Sequence, residues 1–116
     1  MKKIFSIVSM ILLLTACGSK YHTIDYNEAK DIINDGAIIV DVRTSEEFER
    51  EHIPNAINIP LGEIDTIDYD KNTTLLVYCQ TGVRSGEAVK KLSEMGYTSL
   101  YNLDGGLLNW GESLEE

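Results

Sequence analysis

The sequence predicts an α/β domain in which a mostly parallel central sheet of about five strands is flanked by helices. Short apolar, β-branched segments alternate along the chain with amphipathic segments of helical period, and helix-capping signals separate the two kinds. In addition, residues 37–42 are apolar on both strand faces, which is typical of an inner parallel strand covered on both sides.

Local signals mark the first strand and helix. Residues 21–24 are typical of a short strand, and Asp25 with Glu28 then forms a capping box that starts a helix. Gly36 is predicted to end this helix, and the strand at 37–42 follows. This order of strand, helix and strand is the unit from which parallel sheets are built.

The middle of the domain is predicted to contain a short helix and a brief strand. A second capping box, Thr44 with Glu47, starts a helix that runs to about Arg50. Pro54 ends any helix, and the strand at 56–60 ends at another proline.

The second half is predicted to contain two strands around an amphipathic helix. Residues 75–78 and 100–103 are typical of buried strands, whereas 85–95 carry apolar side chains on one helical face and charged ones on the other. Gly96 ends that helix, and 107–110 start a final short one. Because ligands of such sheets lie beyond the carboxyl ends of the strands, chemistry is expected where these strands end.

Residues 1–16 have the features of a secretory signal peptide. Two lysines precede an apolar segment at 4–14 that is shorter than the roughly 20 residues needed to span a bilayer. The sequence Leu-Thr-Ala-Cys at 14–17 resembles the bacterial lipobox, whose cysteine is lipidated and becomes the new N-terminus. The resemblance implies a lipid anchor at Cys17; the alternative is an ordinary signal peptide in which this cysteine has no role.

The rest of the chain is expected to form a tether at 17–20 and one domain at 21–116. The formal charge is −9, and removal of Lys2 and Lys3 would change it to −11, which argues against nucleic-acid binding.

From the signal peptide and the lipobox-like sequence, we expect a protein anchored by lipid to a membrane of the bacterial cell envelope, on its extracytoplasmic side.

Cys79 begins the most informative stretch, Cys-Gln-Thr-Gly-Val-Arg at 79–84. A thiol between a buried strand and a helix start faces several backbone N–H groups and the positive end of the helix dipole. Both favour the reactive thiolate. If Cys17 is lipidated, Cys79 is the only free thiol and has no partner for an internal disulfide.

Residues 21–112 resemble a single-domain rhodanese. The motifs that carry the resemblance lie at 40–43 with 46–48, 52–60, 77–85, and 103–106 with Trp110. The resemblance implies a small three-layer rhodanese-like fold. Glu51 and Asn55 stand where the family usually has glycine. Asparagine tolerates positive φ, whereas Glu51 would add a negative charge near the site.

The resemblance also implies an enzyme that transfers sulfane sulfur without a cofactor. The Cys79 thiolate would take the outer sulfur of a donor such as thiosulfate as a persulfide and pass it to a thiol or cyanide. The expected binding residues are Gln80, Thr81, Gly82, Val83 and Arg84. Their N–H groups would hold the sulfur, with a hydrogen bond from the Thr81 hydroxyl. Arg84 would bind the anionic donor or brace the loop through an ion pair.

Charged residues nearby are expected to support the loop. Asp41 is expected to accept hydrogen bonds from backbone near the loop, and Arg43 to pair with Glu46 or Glu47. His52 is expected to pack in its turn outside the catalytic set. One free thiol and two histidines lack metal-ligand spacing, so no metal site is expected.

Two alternatives remain open at this point. A phosphatase or arsenate reductase on the same fold would place one more residue between cysteine and arginine than the four that separate Cys79 from Arg84. That shorter loop favours sulfur transfer. The second alternative is a non-catalytic sulfur carrier or interaction module of the cell envelope, which would keep the same loop.

Overall fold

A computed structural model describes residues 21–116, which form one sheet with helices on both faces. The expected signal peptide, the tether and Cys17 lie outside the described residues. The strands are β1 (Tyr21–Ile24), β2 (Ile38–Asp41), β3 (Ile57–Asn58), β4 (Thr74–Tyr78) and β5 (Ser99–Leu103). The helices are α1 (Tyr26–Asn34), α2 (Ser45–Arg50) and α3 (Val83–Glu94), with 3₁₀ helices at Leu61–Thr66 and Gly106–Asn109. Within 21–116, no helix is long and apolar enough to cross a membrane.

The five strands are all parallel, in the order β1-β5-β4-β2-β3. The predicted α/β class and five-stranded sheet are therefore confirmed. Parallel strands share one carboxyl edge, so the segments that follow β2, β4 and β5 come together there. β1 begins at the opposite edge.

Alternating strand residues divide the core into two layers. On one face, Val40, Leu75 and Val77 pack with apolar side chains of α3. On the other, Ile39 and Leu76 pack with apolar side chains of α1. This alternation explains why the inner strands are apolar throughout.

Several element bounds differ from the prediction. α3 begins at Val83 rather than at residue 85, because Gly82 adopts φ +102° and precedes the helix without any side-chain cap. The strand predicted at 56–60 pairs only over Ile57–Asn58, and the 3₁₀ helix at Leu61–Thr66 was not predicted. Both capping boxes form as predicted.

Candidate active site

Cys79 lies directly after β4, at the carboxyl edge of the sheet. Its loop turns through Gly82 into α3, so that the first turn of the helix faces back toward the sulfur. The side chain is almost fully buried, with 1% of its surface exposed. The loop and the first turn of α3 therefore enclose the sulfur.

Donor groups converge on this sulfur. The Gly82 N–H donates to Sγ at 3.1 Å, and the Ser85 N–H donates to it at 3.4 Å. The hydroxyl oxygen of Ser85 lies at 3.4 Å. Burial raises the pKa of Cys79, but the hydrogen bonds from Ser85, Gly82 and the Thr81 backbone outweigh burial and leave this pKa below its ordinary value.

A buried polar pair supports the first turn of α3. The Ser85 hydroxyl donates to Oδ1 of Asn102, and Nδ2 of Asn102 donates to the carbonyl of Gly82 at 3.3 Å. Both side chains are buried. Sequence reasoning did not assign a role to either residue. The available signal was Asn102 within the strand predicted to be buried, since a buried polar side chain needs a hydrogen-bond partner.

The segment after β5 clamps the cysteine loop. The N–H groups of Leu107 and Leu108 donate to the carbonyls of Cys79 and Gln80, at 2.9 and 3.3 Å. Gly106 has φ +58°, and a Cβ atom built there would lie 2.4 Å from the carbonyl oxygen of Cys79. Only glycine allows this close approach of the two backbones.

Arg84 is held in an ion pair across the site. Its Nη1 and Nη2 donate to Oε1 and Oε2 of Glu47, at 2.7 and 3.0 Å. The hydrogen bonds from Arg84, together with those from Thr44, lower the pKa of Glu47 to about 2. The ion-pair contact considered for Arg84 is present, and binding of an anionic donor through its other N–H groups stays a prediction.

Arg43 is buried against Asp41. The expectation that it pairs with Glu46 or Glu47 is wrong, because its Nε and Nη2 donate to the Asp41 carboxylate at 2.8 to 3.1 Å. Asp41 also accepts the backbone N–H of Arg43, as expected for a residue that bonds nearby backbone. Asp41 ends β2, and Arg43 follows two positions later. The two side chains therefore meet without any loop having to close between them, and Arg43 pairs with Asp41.

The remaining donors of Arg43 tie two loops together. Its Nη2 donates to the carbonyl of Glu51 at 2.7 Å, and its Nη1 donates to Oε1 of Gln80 at 3.3 Å. The Gln80 side chain therefore faces Arg43. Thr81 is exposed, and within 21–116 its hydroxyl makes no hydrogen bond to the Cys79 sulfur, contrary to expectation.

The turn after α2 has the role expected of it. His52 stacks on Phe48 with ring centroids 3.8 Å apart, and its Nδ1 lies 2.8 Å from the Phe48 carbonyl oxygen. Asn55 has φ +70°, a conformation that asparagine tolerates in place of glycine. His52 thus packs against Phe48 within its turn, as expected.

A polar cavity of about 430 Å³ lies beside the loop. It is lined by Arg43, Glu47, Arg50, Glu51 and Gln80. In the part of the chain that the structure describes, no three side chains of His, Cys, Asp or Glu come together as a metal site would require. The arrangement provides a cysteine sulfur that accepts hydrogen bonds from the Gly82 and Ser85 N–H groups and a polar cavity that Gln80 of the same loop lines.

Comparisons with known proteins find similar sequences and a similar fold. The chain is 49% identical over 70 residues to the thiosulfate sulfurtransferase PspE of Escherichia coli, covering 57% of this chain and 67% of that protein. It is 32% identical over 93 residues to the thiosulfate sulfurtransferase GlpE of Coxiella burnetii, covering 78% and 87%. A crystal structure of a rhodanese-like domain protein from Staphylococcus aureus superposes with a TM-score of 0.72 at 37% identity, covering 81% and 96%.

Family membership follows from the extent of the match. Residues 25–113 match the family of the rhodanese-like domain. The matched range includes the cysteine loop, Arg43, Arg84 and the segment that clamps the loop. The chain therefore belongs to the rhodanese-like domain family.

Proposed function

We propose that this protein is a rhodanese-type sulfurtransferase that carries sulfane sulfur as a persulfide on Cys79. One observation carries the proposal: the N–H groups of Gly82 and Ser85 converge on a cysteine sulfur whose pKa is lowered. Relatives named as thiosulfate sulfurtransferases support the same type of enzyme.

The first half-reaction is a displacement at sulfur. The Cys79 thiolate attacks the outer sulfur of the donor, a new S–S bond forms, and the bond between the outer and inner donor sulfur atoms breaks. With thiosulfate, sulfite leaves with the electron pair of that bond. No electrons are lost from the system, so the step needs no redox cofactor.

The second half-reaction returns the enzyme to its first state. A nucleophile such as cyanide attacks the terminal sulfur of the persulfide, and Cys79 leaves as the thiolate. The N–H groups of Gly82 and Ser85 then donate hydrogen bonds to the thiolate again. The same two N–H groups thus raise the fraction of thiolate available for the first displacement and stabilise the thiolate that leaves in the second.

Intact-mass spectrometry tests this proposal. After incubation with thiosulfate, the purified protein is expected to gain the mass of one sulfur atom, and cyanide is expected to remove it with formation of thiocyanate. The Cys79→Ser variant is the matched control and is expected to gain nothing, while Arg84→Ala is expected to be impaired. An unchanged wild-type mass with every donor tried would overturn the proposal.

Two further measurements, one on the purified protein and one in cells, separate the two alternatives. Hydrolysis of an aryl phosphate without any sulfur transfer would indicate a phosphatase. A Cys79→Ala variant that preserves the cellular phenotype would indicate a non-catalytic module. Each result contradicts sulfur transfer as the function.

We also propose that Cys17 is lipidated and anchors the domain to the cell envelope, on the extracytoplasmic side. Support comes from the lipobox-like sequence at 14–17. In addition, Tyr21 begins β1 at the sheet edge opposite the one that carries Cys79, so a short tether would leave the thiol facing away from the membrane. Labelling with a clickable fatty acid is expected to mark the wild type but not Cys17→Ala. Equal labelling of the two would contradict the anchor.

A further inference from the structure

A second cavity, which sulfur transfer does not use, is lined by α1, β2, the turn after α2 and the C-terminal segment. Its apolar side chains include Ile33 of α1, Ile39 of β2 and Ile53 of the turn. Ile39 and Ile53 are 4% and 1% exposed, so the cavity reaches the core. Trp110 and Glu112 of the C-terminal segment also line it. Among the described residues that form the lining, none belongs to the cysteine loop at 79–84, so this cavity is separate from the sulfur site.

The C-terminal segment is fixed to the domain on either side of the cavity residues it supplies. Glu115 forms an antiparallel bridge with His52, and both N–H to oxygen distances are 2.8 Å. Glu112 pairs with Lys30 of α1 at 2.7 Å. Leu114 packs against the apolar core on this face of the sheet. The cavity is therefore formed by the protein's own contacts, as small-molecule sites usually are.

Trp110 brings an unpaired donor to the cavity lining. Its Nε1 is buried, and within residues 21–116 no acceptor takes its hydrogen bond. The indole packs edge to face with the Tyr26 ring, with centroids 5.1 Å apart, and this contact holds the indole in place. A buried N–H group without an acceptor is rare, because it has lost its hydrogen bonds to water and gained none. A molecule that carries an acceptor into the cavity would satisfy this group.

The size and charge of the cavity restrict what it holds. Its volume is about 180 Å³. An apolar cavity of about 150 Å³ is enough for benzene, so a molecule with one ring fits here. In the part of the chain that the structure describes, the charged residues of the lining are Lys30 and Glu112, which pair with each other and sum to zero. An apolar wall without net charge favours an uncharged ligand.

We propose that this cavity binds a small uncharged molecule with one apolar ring and a hydrogen-bond acceptor, the class to which aryl ketones belong. The isoleucine side chains contact the ring, and Nε1 of Trp110 donates to the acceptor. The inference is independent of sulfur transfer, and the Cys79→Ser variant is expected to bind such a molecule as the wild type does.

Two probes of nearly the same shape test the acceptor. Acetophenone has a carbonyl oxygen, whereas α-methylstyrene has a CH₂ group in its place. Titrations of the purified protein, followed by NMR through the methyl resonances of Ile39 and Ile53, give a dissociation constant for each probe. We expect acetophenone to bind roughly fivefold more tightly, because it alone accepts a hydrogen bond. Equal affinities, or no saturable binding of either probe, would overturn the inference.

The indole N–H resonance gives a second readout. Trp110 is the only tryptophan of the chain, so one indole cross-peak reports on its Nε1. Acetophenone is expected to move the proton of this cross-peak downfield, as a new hydrogen bond does, and α-methylstyrene is not. A downfield shift with both probes or with neither would contradict the contact with the acceptor.

Trp110→Phe is the variant that tests the hydrogen bond. It keeps an aromatic ring beside Tyr26 but has no N–H group. We expect the preference for acetophenone over α-methylstyrene to disappear, while α-methylstyrene binds about as tightly as to the wild type. A preference that persists in this variant would overturn the role of Trp110.

Ser113→Phe tests the location of the site. Ser113 is exposed and lines the cavity, so a phenyl ring at this position is expected to occupy it and abolish saturable binding of both probes. Glu116→Phe is the matched control, because it adds the same side chain to the same segment outside the lining. We expect it to leave both affinities unchanged. Unchanged binding in Ser113→Phe would place the probes elsewhere and overturn the inference.

Discussion

The hydroxyl oxygen of Ser85 lies 3.4 Å from the sulfur of Cys79, in the buried space beneath the loop. The same hydroxyl donates its one proton to Asn102. In the thiol form, the Cys79 proton is therefore the one available for the contact with Ser85. After ionisation, the Ser85 hydroxyl donates to the thiolate only by giving up its bond to Asn102, whereas the Ser85 N–H donates to the sulfur without that exchange.

Ser85→Ala is expected to raise the pKa of Cys79, because it removes a hydrogen-bond donor that lowers this pKa, while the burial that raises this pKa stays. The pH dependence of iodoacetamide alkylation measures this pKa, and its midpoint should move to higher pH. Ser93→Ala, at the far end of α3, is the control and should leave the midpoint in place. An unshifted midpoint in Ser85→Ala would show that the Ser85 hydroxyl does not stabilise the thiolate.

Asn102→Ala is expected to destabilise the fold by about 1–3 kcal/mol, because the buried Ser85 hydroxyl and the Gly82 carbonyl each lose a partner. Urea unfolding at pH 7 measures this loss. Persulfide formation should slow as well, since the Gly82 turn loses its support. A variant as stable and as active as the wild type would show that the pair is not required.

The pair between Glu47 and Arg84 should make stability depend on pH. The pKa of Glu47 is about 2 in the folded protein, below the ordinary value of 4.5. Its contribution is therefore complete above about pH 4.5 and is lost as the pH falls through about 2. Urea unfolding should show the wild type more stable than Glu47→Gln at pH 7, with the difference narrowing below pH 4.5. A difference that is constant with pH would contradict the ion pair.

Gly106→Ala should displace the cysteine loop. The added Cβ meets the Cys79 carbonyl at 2.4 Å, and φ +58° is strained for alanine. We expect a loss of about 2 kcal/mol in unfolding free energy and nearly complete loss of persulfide formation. Gly62→Ala is the control, because a Cβ at that position meets nothing within 4 Å. Comparable activity in the two variants would show that the close approach is dispensable.

Local signals predicted most of the secondary structure because they act over a few residues. Two capping boxes start α1 and α2 as predicted, and β1 has the predicted bounds. The start of α3 was placed two residues late, because Gly82 precedes that helix through a left-handed backbone conformation and not through a capping side chain. The sequence does not show which backbone conformation a loop glycine adopts, because glycine populates positive and negative φ about equally.

The sequence by itself determined the order of strands and helices and the family, and it predicted Cys79 as the reactive residue, because each depends on short motifs or local periodicity. Only the tertiary structure decided the partners of the polar groups. Arg84 pairs with Glu47 across 37 positions, and Ser85 with Asn102 across 17. Such pairs depend on which strands are neighbours and in what register, and that arrangement is set by the packing of the whole core rather than by any one segment.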